Sequence, residues 1–469
     1  LELEDIMGND EQGTHLDKMI DNILDTKYEN IPPAAVNHAK DRLLDTIGCT
    51  ICGANDTGNP ELLDIVRDWG GKPEARILVH GDKVPAPMAA MVNCIMARSF
   101  DFEPVSPLVD GQQIPGHISG TTTMTALTLG DMQNVNGKEL LVSLLVGDNT
   151  ATRVLLAGKA GGTRRGFDHV GQANSFGATA IVGRLMGLNH SQMRHAFGLL
   201  LDHLGGAQRM ISDTTIGFKL SQGNSARDAV FCVYLARAGW SGVDDALLSR
   251  GGYYDMFTDG IKDPELLTKD LGKKYYSDGT FKPYPCCRMN HSAVNCAVDI
   301  VNEHEIKGDD IEEVILYMSP GALHDVIGQP FRIKNSPHAS AGFSVRYNVA
   351  NVLVRGSSRP EHFTEEAIRD TAISDFLKKV TMADLTEGNM ESGRVKVIMK
   401  DSREFDRFTE IAKGDPRNPI SREELLAKYW MNIEFSHTIS KKNAEKVLKM
   451  VEDLENLDSV KKLVDLLIA

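Results

Sequence analysis

The sequence predicts a mainly α protein: a large multihelical domain into which a smaller α+β lid domain is inserted. Three observations carry that expectation. Apolar residues recur at helical spacing through the first 270 residues, the texture turns strand-like near residue 275, and the last fifty or so residues return to a helical pattern. The expected division is therefore a helical domain over 1–270, completed by 411–469, and an inserted α+β lid over 271–410.

In chain order, helices are expected at 36–52 (VNHAKDRLLDTIGCTIC), 120–131, 137–157, 176–186, 191–204 and 223–238. Glycine pairs at Gly161-Gly162, Gly205-Gly206 and Gly251-Gly252 suit tight connections between them. One hairpin interrupts the pattern, ARILVHGDKVPAP, turning at Gly81-Asp82. In the inserted part, 311–318 (IEEVILYM) and 394–400 (RVKVIMK) read as strands. The second turns at Asp401-Ser402, so that REFDRFTE pairs back on it. Helices are expected between them at 289–304, 338–355 and 363–381. SREELLAKYW opens the final helical stretch with a Ser N-cap and a Glu three positions later, the capping-box pattern.

Composition narrows the partners. The 469 residues carry 51 Lys+Arg against 65 Asp+Glu, a net charge of −14, in an ordinary mixture of 42% hydrophobic and 25% charged residues. That balance argues against a nucleic-acid backbone or an anionic membrane as the main partner. A small anion is still admissible, because a local group of cations can reverse the field in one cleft. No uninterrupted apolar run approaches the roughly 18–20 residues of a membrane span; Leu140 to Val146 is the best and is short. The stretch LELEDIMGNDEQGTHLDK has neither a secretory nor a transit-peptide pattern, and seven cysteines are too few for a disulfide scaffold, so a cytoplasmic protein with reduced thiols is expected. Cys49-Thr50-Ile51-Cys52 has redox spacing but lies in an apolar helix and reads as packing, and Cys286-Cys287 lack suitably spaced companions for a cluster. Phosphate-loop, dinucleotide and nucleophile-elbow patterns are missing. No metal and no cofactor is expected.

Three segments carry candidate chemistry. In ARSFDFEPVSPLVDGQQIPGHISGTTTMTALTLGD (97–131), Asp101 and Glu103 follow an apolar helix, and a Pro/Gly-rich loop then delivers His117 to a Thr-rich helix start. Such a start offers free N–H groups to an anion, and Asp101 with His117 could form an acid/base pair. TRRGFDHVGQANSFGATA (163–180) repeats the grammar, with Asp168-His169 before a helix of small residues; packing is its plainer reading. GTFKPYPCCRMNHSAVNCAVDI (279–300) crowds Lys282, Cys287, Arg288 and His291 near a helix N-terminus, which suits a carboxylate pocket. Lys219, in IGFKLSQGNSARDAV, is a fourth cationic candidate.

In order along the chain, RLLDTIGCTICGA, FDFE…GHISG, GFDHVGQANSFGATA, KLSQGNSARDAV, KPYPCCRMNH and SREELLAKYW resemble the MmgE/PrpD family, whose members include 2-methylcitrate dehydratases, cis-aconitate decarboxylases and an iminodisuccinate epimerase. The resemblance covers nearly the whole chain. It implies a helical domain with a smaller α+β lid, a homodimer, and metal-independent chemistry on a small di- or tricarboxylate. It places cleft residues on Asp101, His117, Lys282 and Lys219. Departures stand at Val105 for a Thr, at Asp168 for a His (with His169 displaced by one), at Cys287 for a His and at Val326 for a Tyr. The implied reaction starts with removal of a proton alpha to a carboxylate. His117 acts as base or acid, Asp101 orients it, and Lys282, Arg288 and helix N-termini hold the substrate, with Asp168, His169, Cys287 and His291 shaping its pocket. Loss of water from a 2-methylcitrate-like acid is the leading outcome. Epimerisation of a related dicarboxylate is the alternative, ahead of decarboxylation of a cis-aconitate-like acid and of carboxylate binding without catalysis.

Overall fold

Pro33 opens the helix Pro33–Gly53 at the position where a missing N–H costs nothing, and fifteen of its residues are buried. With Ala86–Arg98, Ser119–Gln133 and Gly137–Ala157, apolar or small on nearly every face, it forms the centre of the helical part. Amphipathic helices cover this centre: His15–Asp25 turns Leu16, Met19, Ile20 and Ile23 inward, and Lys441–Glu452 does the same with Ala444, Val447 and Val451. The computed structural model describes residues 14–159 and 166–469. Gly161-Gly162, Arg164-Arg165 and most of the acidic N-terminal stretch lie outside the described residues.

Small residues set the closest crossing. A Cβ on Gly147 would come within 2.4 Å of Ile181 and 2.9 Å of the Gly177 carbonyl, and one on Gly177 within 2.7 Å of the Gly147 carbonyl. The helices Gly137–Ala157 and His169–Leu185 therefore meet backbone to backbone, and the small residues of GQANSFGATA serve that contact. By length and composition Gly137–Ala157 could cross a membrane, which the short run Leu140–Val146 did not suggest. It is a buried core helix, and its Asp148 is paired with Arg42 at 2.6 Å.

The hairpin over 75–84 is present, with Ala75 opposite Val84. Within residues 311–409 a four-stranded sheet runs in the order Val380–Asp384, Ile311–Met318, Gly393–Met399, Glu404–Thr409. The first pair is parallel, and the other two pairs are antiparallel. Buried Val395, Val397 and Met399 alternate along one strand and face the helix His291–His304.

Two expected helices are corrected. The stretch 338–355 is broken into Pro337–Gly342 and Val345–Arg355, because Ser344 leaves the helix and caps the second piece through the Tyr347 N–H. The stretch 363–381 becomes short turns, Glu365–Ile368 and Thr371–Phe376, each started by its own polar cap (Thr364, Asp370), before Val380 enters the sheet. A three-stranded sheet of Gln112–Gln113, Val105–Val109 and Asp278–Thr280 was also not foreseen; its strands are too short to show a period.

Two hydrophobic cores result. The larger spans the N-terminal helices and is completed by Tyr429, Ile433, Val447 and Leu463 from the C-terminal end. The second gathers residues 284–399 and takes in Phe100 and Phe102 from the helical part. The segment 100–103 thus lies on the seam between the cores.

That small sheet changes one expectation. The N–H groups of Ile118 and Ser119, at the Thr-rich helix start, both donate to Asp278 Oδ2, at 2.9 and 2.7 Å. The anion at this N-terminus is the protein's own carboxylate, not a ligand. Burial raises the Asp278 carboxyl to about 7. Asp278→Asn keeps an acceptor for the two N–H groups and is expected to be well tolerated. Asp278→Ala strands both, at a cost of about 1–3 kcal/mol in a urea titration.

Candidate active site

The helix Ala86–Arg98 ends where the chain turns through Ser99 and Phe100 into Asp101, which sits at φ +48, a left-handed conformation that Asp tolerates. The turn folds Asp101 back onto Arg98 three residues earlier, and Arg98 Nη1 bridges the carboxylates of Asp101 and Glu103, the latter at 3.2 Å. From just past the strand Asp278–Thr280, the fully buried Lys282 donates to the Asp101 carbonyl at 2.6 Å and to Asp101 Oδ1 at 2.5 Å. His117 Nδ1 lies 3.2 Å from Glu103 Oε1 and 3.7 Å from Asp101 Oδ1. Two helices hold the His117 backbone in place: Asn174 Nδ2 donates to its carbonyl at 2.6 Å and Gln222 Nε2 at 3.3 Å. Gln222 also donates to Glu103 Oε1 at 3.1 Å. Behind this layer Lys428, bound to Asp45 at 2.8 Å, donates to the Phe102 carbonyl at 2.7 Å and fixes the 100–103 segment from the C-terminal helix Arg422–Ser436.

The charges are ordered. Burial opposes ionisation of both carboxyls, but for Asp101 the Arg98 and Lys282 charges outweigh it and hold the group well below the usual range. For Glu103, Arg98 and the His117 hydrogen bond bring it down to about 2. Burial first, and then the Arg98 field, lower His117 below 6.5 despite its bond to Glu103. The imidazole is therefore neutral at pH 7. A carboxylate acceptor at Nδ1 puts the ring proton there and leaves Nε2 as the basic nitrogen, without a hydrogen bond among the described residues. The ring keeps 21% of its exposure, so it can be reached from the cleft.

The sequence reading brought Asp101, His117 and Lys282 together, and so does the structure. It changes their partners, however: Glu103, not Asp101, is the nearer carboxylate to His117, and Lys282 is committed to Asp101. Lys219 stands apart, donating to Asp56 Oδ2 at 2.6 Å, the Thr57 carbonyl at 2.8 Å and Asn59 Oδ1 at 3.2 Å. The other oxygen of Asp56 meets His338 Nδ1 at 2.7 Å, and these two partners outweigh burial to lower Asp56 to about 2. The expected pocket cation Lys219 is thus neutralised within a seam between the two parts. Arg288 is likewise turned away, toward Asp415 at 3.5 Å, Glu391 at 3.6 Å and the Lys413 carbonyl.

His291 is fully buried, packs on Tyr284 and is held well below its ordinary pKa by burial. Cys287 does reach the site edge. Burial, and then Asp101, push its thiol up to about 12, and it packs against the Phe218, Ala339 and Phe343 cluster. Asp168 is buried; its N–H bonds the Gly206 carbonyl, and its charge is felt by Arg98. His169 begins a helix, and its side chain lies outside the described residues.

Arg98, Glu103, Asn174 and Gln222 were missed as site residues. Arg98 and Asp101 at i, i+3 were legible as a pair; Asn174 and Gln222 gave no signal. Asp101, Glu103 and His117 also place one ligand atom each within 4.8 Å of one another, the spread of a metal site. The same carboxylates already bind Arg98 and Lys282, so a divalent ion would meet two fixed cations there.

Residues 17–265 match the MmgE/PrpD N-terminal domain and residues 284–456 the MmgE/PrpD C-terminal domain. The chain is 24% identical to a cis-aconitate decarboxylase of Homo sapiens, over 94% of this chain and 92% of that protein. It is 22% identical to that of Mus musculus, over 94% and 91%, and 22% identical to that of Aspergillus terreus, over 86% and 85%. With both domains matched in order over most of its length, the chain belongs to the MmgE/PrpD family.

Proposed function

We propose that the protein is a lyase that removes a proton alpha to a carboxylate of a small di- or tricarboxylic acid, with His117 as the base, and that it dehydrates a 2-methylcitrate-like substrate. The observation that carries the reading is the neutral His117, held at Nδ1 by Glu103, with a partly exposed ring whose Nε2 has no hydrogen bond among the described residues. Nε2 takes the alpha proton, and the imidazolium that forms is stabilised by Glu103 and Asp101 at 3.2 and 3.7 Å. Arg98 stabilises the enolate-like charge through its directed N–H donors, and Lys282 holds Asp101 in place. The imidazolium then protonates the departing β-hydroxyl, and water leaves as the double bond forms. The 271–410 part acts as a lid in this reading: it contributes Lys282, so opening it would separate Lys282 from Asp101. A cytoplasmic homodimer completes the proposal, and light scattering checks the dimer.

A second reading, decarboxylation of a cis-aconitate-like acid, is favoured by the activity for which the human, mouse and fungal relatives are named. Proton NMR in deuterium oxide against citrate, 2-methylcitrate, cis-aconitate and aspartate-derived acids separates the outcomes. Loss of water supports dehydration, and loss of carbon dioxide supports the second reading. Deuterium at the alpha carbon without either sinks both and leaves an epimerase. No change in any acid leaves a binding protein.

The base assignment also fixes the sign of the pH response. Since the His117 pKa is lowered, the base form predominates at pH 7, and kcat/KM should fall on acidification with a midpoint below the ordinary 6.5. A profile already falling between pH 8 and 7 would point to a different base.

A further inference from the structure

The expected carboxylate-binding groups are each matched internally: Lys282 by Asp101, Lys219 by Asp56, Arg288 by Asp415, and the Thr-rich helix start by Asp278. Arg98 is matched on one side only. Its Nη1 serves Asp101 and Glu103, while Nε and Nη2 have no hydrogen bond among the described residues. The side chain is 6% exposed, yet neither nitrogen is among the sealed polar atoms. The guanidinium lies over the Phe218 ring, 5.2 Å from its centroid, and Phe218 stands edge-on to Phe343 at 5.3 Å. Ala339, with half-buried Cys287, Val326 and Ile211, extends this wall.

We propose that the free edge of Arg98, Nε with Nη2, is the carboxylate-binding arm of the site, and that the Phe218–Phe343–Ala339 wall receives a hydrocarbon part of the same acid. The inference rests on the lyase reading for its substrate class. A guanidinium edge matches the two oxygens of one carboxylate in parallel hydrogen bonds, and stacking on a ring fixes its plane. Arg98 and Lys282 are balanced by Asp101 and Glu103, and Asp168 adds a negative field at Arg98. The arm therefore recruits by directed donors, not by surplus charge, and takes one carboxylate group. Phe218, Phe343 and Ala339 carry no polar side-chain atom, so the wall itself suits a hydrocarbon part and not a second carboxylate.

The test compares wild type, R98K and F218L by calorimetric titration with cis-aconitate, citrate and 2-methylcitrate. The Nε resonance of Arg98 in 15N-arginine-labelled protein is followed alongside, assigned by its loss in R98K, and circular dichroism checks folding. Lys at 98 still neutralises Asp101 and Glu103 but lacks the second donor edge, so binding should weaken about tenfold or more. F218L should weaken it less, and the wild-type Nε signal should shift in step with saturation. Binding within twofold in folded R98K, or an Nε signal unmoved at saturation, overturns the proposal. Turnover with an unmoved Nε overturns the arm and leaves the lyase reading standing. An Nε shift with no turnover does the reverse, and no binding by wild type overturns both.

Discussion

His117→Ala is expected to lower kcat/KM by about 10²–10⁴-fold, the usual worth of a positioned general base. The protein should still fold. The ring is on the cleft side of the cluster, and its loss leaves Glu103 bonded to Arg98 and Gln222. Stability should therefore move by about 1 kcal/mol at most. His117→Asn adds a control: its amide can still donate toward Glu103 but cannot take a proton, so it should be as inactive as Ala. Steady-state rates and a urea titration on the same preparations check both statements. Wild-type turnover in either variant removes His117 from the mechanism.

Lys282→Met carries the largest expected change in stability. The side chain is fully buried and holds Asp101 at both its carbonyl and its carboxylate, so its removal leaves a buried anion with Arg98 as its remaining cation. Breaking one partner out of a buried pair costs about 3–5 kcal/mol, and the surviving Arg98 places the expectation at the lower end. The double variant Lys282→Met, Asp101→Asn removes the stranded charge and should recover part of the loss, a coupling measured directly by the double-mutant cycle. A loss below about 1 kcal/mol would show that Arg98 alone suffices. The sign with pH follows from the lowered carboxyls. Asp101 and Glu103 contribute stability that is present above their ordinary values of 3.8 and 4.5 and is lost as pH falls, toward about 2 for Glu103. Acid unfolding of Lys282→Met should therefore begin from a less stable plateau and depend less steeply on pH.

The long helices were legible because each carries many turns of apolar spacing, and SREELLAKYW because its Ser–Glu box is local. Val380–Asp384 was not, since a five-residue strand entering beside Ile311–Met318 takes its identity from a partner some sixty-five residues away. At the site, chemistry-bearing residue types were legible and their commitments were not. Lys219 and Lys282 look alike in sequence, but one folds onto Asp56 and the other onto Asp101. Arg288 looked like a pocket cation because Lys282 and His291 are near it in sequence, whereas its guanidinium is drawn to Asp415 and Glu391. The Thr-rich helix start was read as a place for a ligand's anion; that Asp278 occupies it instead depends on two strands of two or three residues pairing beside Val105–Val109.

The hydrogen bond from Lys428 to the Phe102 carbonyl spans 326 residues of sequence. During synthesis the N-terminal helices leave the ribosome long before Lys428 does, so the 100–103 segment lacks its rear support until the helix Arg422–Ser436 is made. Reactivity would then be acquired last, as a property of the finished polypeptide. Fragments ending before residue 421 would be helical and inert.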